Sequence, residues 1–344
     1  MRKLLNTLYV TNPEAYLTRD GQNIVVKVQD EIRLRVPIHN IEDIICFSYV
    51  GASPSFLQLC FETNKSVSFL TEYGRFQGQL NAVTNGNVLL RRKQYRLADD
   101  QAFKLRISKR FIGAKVFNQR NVLLRTVRDH SKEVDVKKIH QVTEILAGIV
   151  KGLDKIQNID ELRGKEGEAA NIYFSVFDDM ILHQKEQFFF KTRNRRPPTD
   201  KVNALLSFTY TLLAHQCKSA LQAVGLDPYV GFLHTDRPGR MSLALDLMEE
   251  FRPYLADRFT LTMINKRLLT HTSFKEGDLE NAIWLTDAGR KTVLENLQKR
   301  KQEDIAHDFL GEKINIGLLP YAQAMLLARF LREDIDDYPP FYMK

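Results

Sequence analysis

The sequence predicts an α+β protein of two domains, a small N-terminal β-rich domain over residues 1–90 and a larger all-α domain over residues 91–344. Two observations support this prediction. Up to about residue 90 the apolar residues recur with a period of two, as in strands, and beyond it with a period near 3.6, as in helices. At 344 residues, with 44% hydrophobic and 27% charged residues, the chain is long enough for two globular domains.

The strand prediction depends on two alternating stretches. Every second residue is apolar in residues 24–28 and 32–38, on either side of a polar turn at 29–31, which is a hairpin pattern. The stretch LQLCFETNKSVSFL repeats the alternation, so residues 57–61 and 67–69 are predicted as two further strands.

The change of period predicts helices for the rest of the chain. Asp99 or Asp100 is placed to cap the first of them, in which Phe103, Ile107 and Phe111 share an apolar face. Cations of this helix are predicted to lie largely away from that face, among them Lys104, Lys109 and Lys115. Six further helical regions are predicted at residues 136–153, 158–181, 200–225, 242–269, 287–311 and 319–333.

Positive charge is concentrated in two short segments. Residues 1–90 contain eight Lys and Arg and eight acids, whereas residues 91–128 contain 12 Lys and Arg against Asp99 and Asp100 alone. A second basic segment, KTRNRRPPTDK, covers residues 191–201. Focused positive potential indicates a polyanionic partner, most often nucleic acid, although a solvated helix face remains the simpler alternative for either run.

Several functional classes lose support from missing motifs. The chain lacks GxxxxGK[ST], GxGxxG, HExxH and GxSxG, which argues against P-loop motors, dinucleotide enzymes, zincin proteases and the usual serine hydrolases. Three cysteines without CxxC spacing favour a reducing compartment, and neither a secretory signal nor a membrane-spanning apolar run is present, so a cytoplasmic protein is expected.

Acids on a mostly apolar helix are the first candidate site. Asp246 and Glu249 are three residues apart in the predicted helix 242–251, so they share a face while apolar residues cover most of the circumference. Such a helix is expected to be buried, and a buried carboxylate requires compensation by donors or a cation. The candidate cations are a divalent metal and three nearby arginines, Arg237, Arg240 and Arg252.

His234 and Glu166 are the other candidates, each with a structural alternative. His234 follows the apolar run VGFL, where a lone histidine is more often a hydrogen-bonded structural residue than a ligand. Glu166, in RGKEGEAANIYF, is placed at the start of a predicted helix, where a carboxylate interacts favourably with the helix dipole. Glutamate oxygens with one imidazole nitrogen would suit Mn²⁺ or Mg²⁺ and leave positions open for a phosphate oxygen.

A set of spaced segments resembles one known family. The runs RGKEGEAANIYF, RNRRPPTDKVNALLSFTYTLL, GFLHTDRPGRMSLALDLMEEFRP, YAQAMLLARFLR and DDYPPFYMK together resemble Cas1, the CRISPR-associated integrase of spacer acquisition. LLNTLYVTNPEAYLTRDGQNI and LRVPIHNIEDIICF look like the β domain of its type I-C branch. The resemblance covers the whole chain, and motifs in the right order are far more specific than any single one.

The resemblance implies a catalytic metal site and a reaction. Glu166, His234 and Glu249 match the positions that bind the metal, Mn²⁺ or Mg²⁺, and Asp246 matches a second acid in a supporting role. The third position is often aspartate in the family, so Glu249 is a departure. Glu250 matches no position of the family and is expected at the surface or in a salt bridge. The implied reaction is attack by the 3′-hydroxyl of a short DNA duplex on a phosphodiester of a CRISPR repeat, a transesterification without ATP.

The resemblance also implies partners. These are a homodimer paired through its β domains, a small second subunit, Cas2, and a helper nuclease, Cas4, that commonly accompanies type I-C systems. Double-stranded and branched DNA are the implied substrates. The residues expected to contact the DNA backbone lie in and after the second basic segment: Arg193, Arg195, Arg196, Asn203 and Tyr210.

Two rival functions remain open on the sequence. One is a non-catalytic, basic, helical DNA-binding scaffold in which arginines neutralise the buried acids. The other is a metal-dependent phosphohydrolase that acts on small molecules or RNA. In the scaffold, replacing Glu249 would damage folding rather than remove an activity, whereas in an integrase it would abolish strand transfer and largely spare DNA binding.

Overall fold

The computed structural model describes residues 6–48, 50–74, 76–82, 87–277 and 281–343. In chain order the strands are β1 (Asn6–Val10), β2 (Ala15–Asp20), β3 (Asn23–Val28), β4 (Glu31–Pro37), β5 (Ile41–Phe47), β6 (Gly51–Ala52), β7 (Ser66–Leu70), β8 (Phe76–Leu80), β9 (Phe274–Glu276), β10 (Ile283–Leu285), β11 (Asp304–His307) and β12 (Glu312–Asn315). The helices are α1 (Pro54–Glu62), α2 (Val88–Asp99), α3 (Gln101–His130), α4 (Val136–Gly152), α5 (Ile159–Phe174), α6 (Lys201–Ala223), α7 (Ser242–Met248), α8 (Arg258–Asn265), α9 (Asp287–Gln302) and α10 (Leu319–Leu331), with a π-helix over Arg252–Asp257.

The chain divides into two compact units. The first comprises residues 1–85 together with 287–305 and 314–318, and the second comprises residues 86–286, 306–313 and 319–344. The β-rich N-terminal part and the helical remainder agree with the predicted α+β class. Residues 287–305, placed in the helical domain on sequence, belong to the first unit because Gln298 and Lys301 of α9 hydrogen bond to Asn6 and Thr7 of β1.

The first unit is built from two four-stranded sheets. One has the order β1-β5-β7-β8, in which β1, β5 and β7 are parallel and β8 is antiparallel. The other has the order β4-β3-β2-β6, in which β2, β3 and β4 are antiparallel, as the alternation at 24–28 and 32–38 predicts. The core includes the fully buried residues Leu17, Ile24, Ile44, Phe56 and Val67.

The strand predicted at residues 57–61 is wrong, because this segment is part of α1. Ser53 caps the helix by accepting a hydrogen bond from the Phe56 amide at 3.2 Å, and Pro54 stands at the first helical position, where its missing N–H costs nothing. Phe56, Leu59 and Cys60 are fully buried, and their spacing is that of one helix face. Of the alternating residues Leu57, Leu59 and Phe61, only Leu59 lies on this face, and Phe61 is 40% exposed.

The second unit packs its helices around α3 and α6. Asp100 caps α3 by accepting hydrogen bonds from the amides of Ala102 and Phe103, so of the two predicted caps the structure uses this one. The long α3 packs against α4, α5 and the π-helix, while α6 packs against α7, α8, α10 and the π-helix. Within the described residues, none of the helices combines the length and apolarity needed to cross a membrane.

The helix predicted over 287–311 ends earlier than the sequence suggests. Helix α9 ends at Gln302, whose carbonyl accepts a hydrogen bond from Asn315 at 3.1 Å. The residues after it form β11, which pairs with β12 in a two-stranded sheet. Pairing with a strand that lies later in the chain overrides the local helical pattern here.

Candidate active site

Helix α5 places Glu166 in its interior rather than at its start. The helix begins at Ile159, after Asn158, whose side chain accepts a hydrogen bond from the Glu161 amide at 2.9 Å. Glu166 therefore lies two turns beyond the cap, so the proposal that it simply interacts with the helix N-terminus is wrong. Its side chain is 30% exposed and contacts the Lys115 ammonium.

Asp246 fixes the loop that carries His234. Its carboxylate is fully buried and accepts hydrogen bonds from the amides of Phe232 at 2.6 Å, Leu233 at 3.0 Å and His234 at 2.9 Å. Its Oδ1 also lies 2.6 Å from His234 Nδ1. When Nδ1 donates to this carboxylate, the other ring nitrogen of a neutral imidazole carries a free lone pair. Asp246 thus has the supporting geometry that its sequence position implies.

Gly231 permits the close approach of this loop to α7. A Cβ at position 231 would lie 2.7 Å from the Ser242 Cβ and 2.8 Å from the Asp246 carboxylate. Such distances are well below normal contact, so a larger residue here would push the loop away from the acceptor that holds it. The three amides and the imidazole reach Asp246 because the position lacks a side chain.

Glu249, at the C-terminal end of α7, is the most strongly compensated carboxylate of the site. Its side chain is 2% exposed, and it lies 2.9 Å from Lys115 Nζ, 3.1 Å from an Arg252 guanidinium nitrogen and 4.0 Å from His234 Nε2. Burial acts to raise the pKa of Glu249, but Arg252, Lys115 and His234 outweigh it and lower the pKa to about 2. Of the arginines considered on sequence, Arg252 is thus a partner of the buried acid.

Lys115 is a site residue that the sequence analysis missed. Its side chain is 4% exposed and its ammonium contacts both Glu166 and Glu249. Burial alone would lower the pKa of Lys115, but the negative charges of Glu249 and Glu166 raise it, so the ammonium stays charged. The prediction that this lysine lies away from the apolar face is wrong: it follows the fully buried Phe111 by four residues, which places it on the same buried face.

The structure thus brings Glu166 and Glu249 together around the Lys115 ammonium, and it places His234 Nε2 4.0 Å from Glu249. Two carboxylates and a free imidazole nitrogen are a donor set that fits Mg²⁺ or Mn²⁺. In the conformation described, no three His, Cys, Asp or Glu side chains of the described ranges lie close enough to hold a metal ion. The Lys115 ammonium lies between the two carboxylates instead, and the imidazole adjoins Glu249.

An arginine-tyrosine stack extends this cluster. The Arg252 guanidinium lies 4.8 Å from the centre of the Tyr210 ring, and the Arg193 guanidinium lies 5.3 Å from it. The Tyr210 hydroxyl donates to the buried Asp257, the last residue of the π-helix. Burial raises the pKa of Asp257 to about 6, although Tyr210 and Arg252 act to lower it. Tyr210 is thus engaged within the protein and connects the basic segment to Glu249.

The residues expected to contact DNA fall into two groups. Arg193 is half-buried and donates to the Asn203 side chain at 2.7 Å and to Ser207 at 3.1 Å. Asn203 is fully buried and its side chain also accepts from the Asn194 amide, so it orders the segment and offers no surface to DNA. Arg195 and Arg196 are exposed.

Glu250 is deeply buried, contrary to the expectation of a surface or salt-bridged residue. Its carboxylate accepts hydrogen bonds from the Phe341 amide at 2.7 Å and from Gln323 at 2.9 Å, and the Tyr338 hydroxyl also donates to it. Burial raises the pKa of Glu250 to about 8 against the effect of these donors. Asn118 of α3 holds the same C-terminal segment, because its side chain donates to the Phe341 carbonyl.

Fold and site define an α+β protein whose helical part holds two carboxylates on one buried ammonium, with an imidazole beside one of them, and whose basic segment carries an exposed pair of arginines. A model of the family CRISPR associated protein Cas1 matches residues 8–299. The chain is 46% identical to CRISPR-associated endonucleases Cas1 of Chlorobaculum tepidum, over 99% of both chains, and of Rhodospirillum rubrum, over 100% of both. The chain belongs to the Cas1 family.

A further relative agrees with this assignment, and solved structures have the same fold. A Cas4 exonuclease/Cas1 endonuclease fusion of Geobacter sulfurreducens is 34% identical over 97% of this chain and 60% of the fusion. A Cas1 protein from Thermotoga maritima superposes with a TM-score of 0.81 at 24% identity, covering 95% of this chain and 97% of that one. A chain of a Cas6-RT-Cas1–Cas2 complex gives a TM-score of 0.84 at 22% identity, covering all of this chain and 37% of that one. These structural likenesses concern the fold.

Replacing Asp246 tests its role as the acceptor of the His234 loop. In Asp246→Ala the amides of Phe232, Leu233 and His234 lose their acceptor, and we expect the free energy of unfolding to fall by about 3 kcal/mol or more. Chemical denaturation measures this. Asp236→Ala, which removes an exposed carboxylate of the same loop, is the matched control and is expected to cost much less. Equal losses in the two variants would contradict the role.

Glu250→Gln tests the buried neutral carboxyl. The pKa of Glu250 is raised from 4.5 to about 8, so its contribution to stability is fully present below about pH 4.5 and is lost as the pH rises through about 8. Glutamine keeps the shape without the ionisation. We therefore expect the melting temperature of the variant to rise relative to the wild type between about pH 5.5 and pH 8.5. Parallel melting curves of the two proteins across this range would refute the assignment.

Proposed function

We propose that this chain is a metal-dependent DNA endonuclease and integrase that inserts short DNA fragments, spacers, into a CRISPR array in antiviral defence. Its curated relatives at 46% identity over the full length are CRISPR-associated endonucleases. The observation that best supports a catalytic role is the convergence of Glu166 and Glu249 on one buried cation, with His234 Nε2 4.0 Å from Glu249. Purely structural acids need no imidazole held with a free nitrogen facing them.

In this proposal three side chains hold the metal. Glu166 and Glu249 supply carboxylate oxygens and His234 supplies Nε2, while Asp246 fixes the tautomer and orientation of the imidazole through Nδ1. Mg²⁺ or Mn²⁺, when bound, polarises the scissile phosphate and stabilises the leaving 3′-oxygen. Against the effect of burial, Arg252, Lys115 and His234 lower the pKa of Glu249 to about 2, so this carboxylate is ionised at neutral pH.

The reaction proposed exchanges one phosphodiester for another. A 3′-hydroxyl of the incoming DNA forms a bond to phosphorus, its proton leaves to solvent or a base, and the 3′-oxygen of the repeat strand departs. Because the number of phosphodiester bonds is unchanged, no nucleoside triphosphate is required, in keeping with the missing P-loop motif. Attack by water on the same phosphate is the endonuclease reaction.

The basic segment around residue 195 is proposed to bind the DNA backbone near the site. Arg195 and Arg196 are exposed and available to phosphates. Arg193, Asn203 and Tyr210, which the sequence also favoured as DNA contacts, are proposed instead to hold this segment against the site through their mutual contacts.

The proposed assembly follows the family. We propose a homodimer paired through its β-rich units that joins Cas2 and a Cas4 nuclease within a type I-C system in the cytoplasm. Relatives that carry these names include the Cas4/Cas1 fusion and the chain of the Cas1–Cas2 complex. The three cysteines are free and buried, as suits a reducing compartment.

Alanine variants of the three metal-ligand candidates separate this function from a DNA-binding scaffold. The assay is metal-dependent integration of a short duplex into a supercoiled plasmid carrying the repeat, with the second subunit supplied. Glu166→Ala, His234→Ala and Glu249→Ala are each expected to lower the rate more than about 100-fold while DNA binding largely survives.

Glu168→Ala, which removes an exposed carboxylate of the same helix as Glu166, is the matched control and is expected to retain activity. If the wild type forms no metal-dependent product, or the three variants remain as active as Glu168→Ala, the integrase proposal fails and the scaffold is favoured.

Replacing Arg195 and Arg196 together by alanine tests the proposed DNA contact. Loss of two phosphate contacts is expected to weaken DNA binding and to lower the slope of log affinity against log salt by about 2. Fluorescence anisotropy over a salt series measures both. Lys291→Ala/Lys299→Ala removes two exposed cations of α9 and is the control. An unchanged slope in the arginine variant would exclude the contact.

A further inference from the structure

The ammonium of Lys115 lies where a metal ion shared by Glu166 and Glu249 would lie. The lysine comes from α3, Glu166 from α5 and Glu249 from the end of α7, so three separate elements meet at this atom. The side chain is 4% exposed and its ammonium pairs with both carboxylates. A cation that binds two carboxylates from different helices must occupy the space between them, which is the space that Nζ fills.

The two carboxylates need a cation whether or not metal is present. Glu249 is 2% exposed and Glu166 is 30% exposed, and two negative charges that meet at one partly enclosed point repel each other. Arg252 pairs with Glu249 at 3.1 Å, but among the described residues Lys115 is the cation whose ion pairs reach both acids. Without metal, the lysine is therefore what allows the acids to be held together in the folded protein.

A lysine side chain is suited to occupy such a site temporarily. Its charge is a compact ammonium on a flexible stem of four carbons, so it can withdraw without moving the helix that bears it. The guanidinium of Arg252 is planar and lies 4.8 Å from the centre of the Tyr210 ring, so Arg252 is held in place more firmly than Lys115.

We propose that Lys115 is an internal counter-cation that occupies the metal position in the metal-free protein and is displaced when a divalent ion binds. This inference rests on the proposed metal site. Both ion pairs of the lysine must then break before the ion binds, and this requirement weakens the affinity for metal. While metal is absent, the same ion pairs preserve the arrangement of the ligands. The displaced ammonium remains tethered beside the site.

Metal binding to a Lys115→Met variant is the first test. Methionine keeps much of the length of the side chain without its charge, so Mn²⁺ no longer competes with an ammonium. We expect Mn²⁺ to bind the variant about tenfold more tightly than the wild type in a titration followed by electron paramagnetic resonance. Lys301→Met, which removes a buried lysine of the other compact unit, where it donates to Thr7, is expected to leave the affinity unchanged.

The outcomes separate the two proposals. If neither the wild type nor Lys115→Met binds Mn²⁺, or if Glu249→Ala binds it as well as the wild type, the metal site itself is wrong. If the wild type binds Mn²⁺ through Glu249 and Lys115→Met binds it no more tightly, the site stands and the displacement is wrong.

A second measurement uses the wild type alone, and so does not depend on how the variant folds. Amine acylation with quantitative mass spectrometry reports the reactivity of each lysine with and without saturating Mg²⁺. We expect acylation of Lys115 to rise several-fold with Mg²⁺ and that of the buried Lys301 to stay constant. Equal labelling of Lys115 in both conditions would overturn the displacement, because the ammonium would then stay in its ion pairs when the metal is bound.

Discussion

The burial of Glu249 is the constraint on which the site depends. Its carboxylate is 2% exposed, and an isolated ion at that depth would be neutralised or would unfold its surroundings. Lys115 and Arg252 prevent this, the first from α3 and the second from the start of the π-helix. Because these side chains must meet within about 3 Å, the long helix α3, helix α5 with Glu166 and the turn after α7 have little freedom to move independently.

Three acids on one short helical stretch are stabilised in three different ways. Asp246 accepts backbone N–H groups and an imidazole N–H, Glu249 is paired with cations, and Glu250 is held by donors while burial raises its pKa to about 8. The neighbouring residues Glu249 and Glu250 thus have pKa values shifted in opposite directions. How each acid is stabilised depends on the element that faces it: the His234 loop for Asp246, α3 for Glu249, and the C-terminal segment that contains Phe341 for Glu250.

Much of this arrangement follows from the sequence, and the exceptions share a cause. The helical period, the Asp100 cap and the pairing of Asp246 with Glu249 on one face are local features that spacing can reveal. The grouping of Glu166 with His234 in one site is a prediction from the resemblance to the family, since no local pattern relates residues 68 positions apart in the chain. Lys115 was assigned to the wrong face, and Glu250 to the surface or a salt bridge, because the partners that bury them come from distant segments. Helix α1 was mistaken for a strand because apolar residues alternate over 57–61, although of the alternating residues only Leu59 lies on the buried helix face.

The π-helix has a consequence for how this region tolerates change. Wider turns over Arg252–Asp257 allow Arg252 to reach Glu249 while Asp257 accepts from Tyr210. A π-helical turn holds about one residue more than an α-helical turn, so loss of one residue here would restore ordinary α-helical turns and leave the flanking helices close to their present orientation. Conservative substitutions at positions that face away from these contacts leave the spacing intact. A single-residue deletion is therefore expected to be less damaging in this segment than in the regular helix α3, where it would rotate everything beyond it by about 100° around the axis.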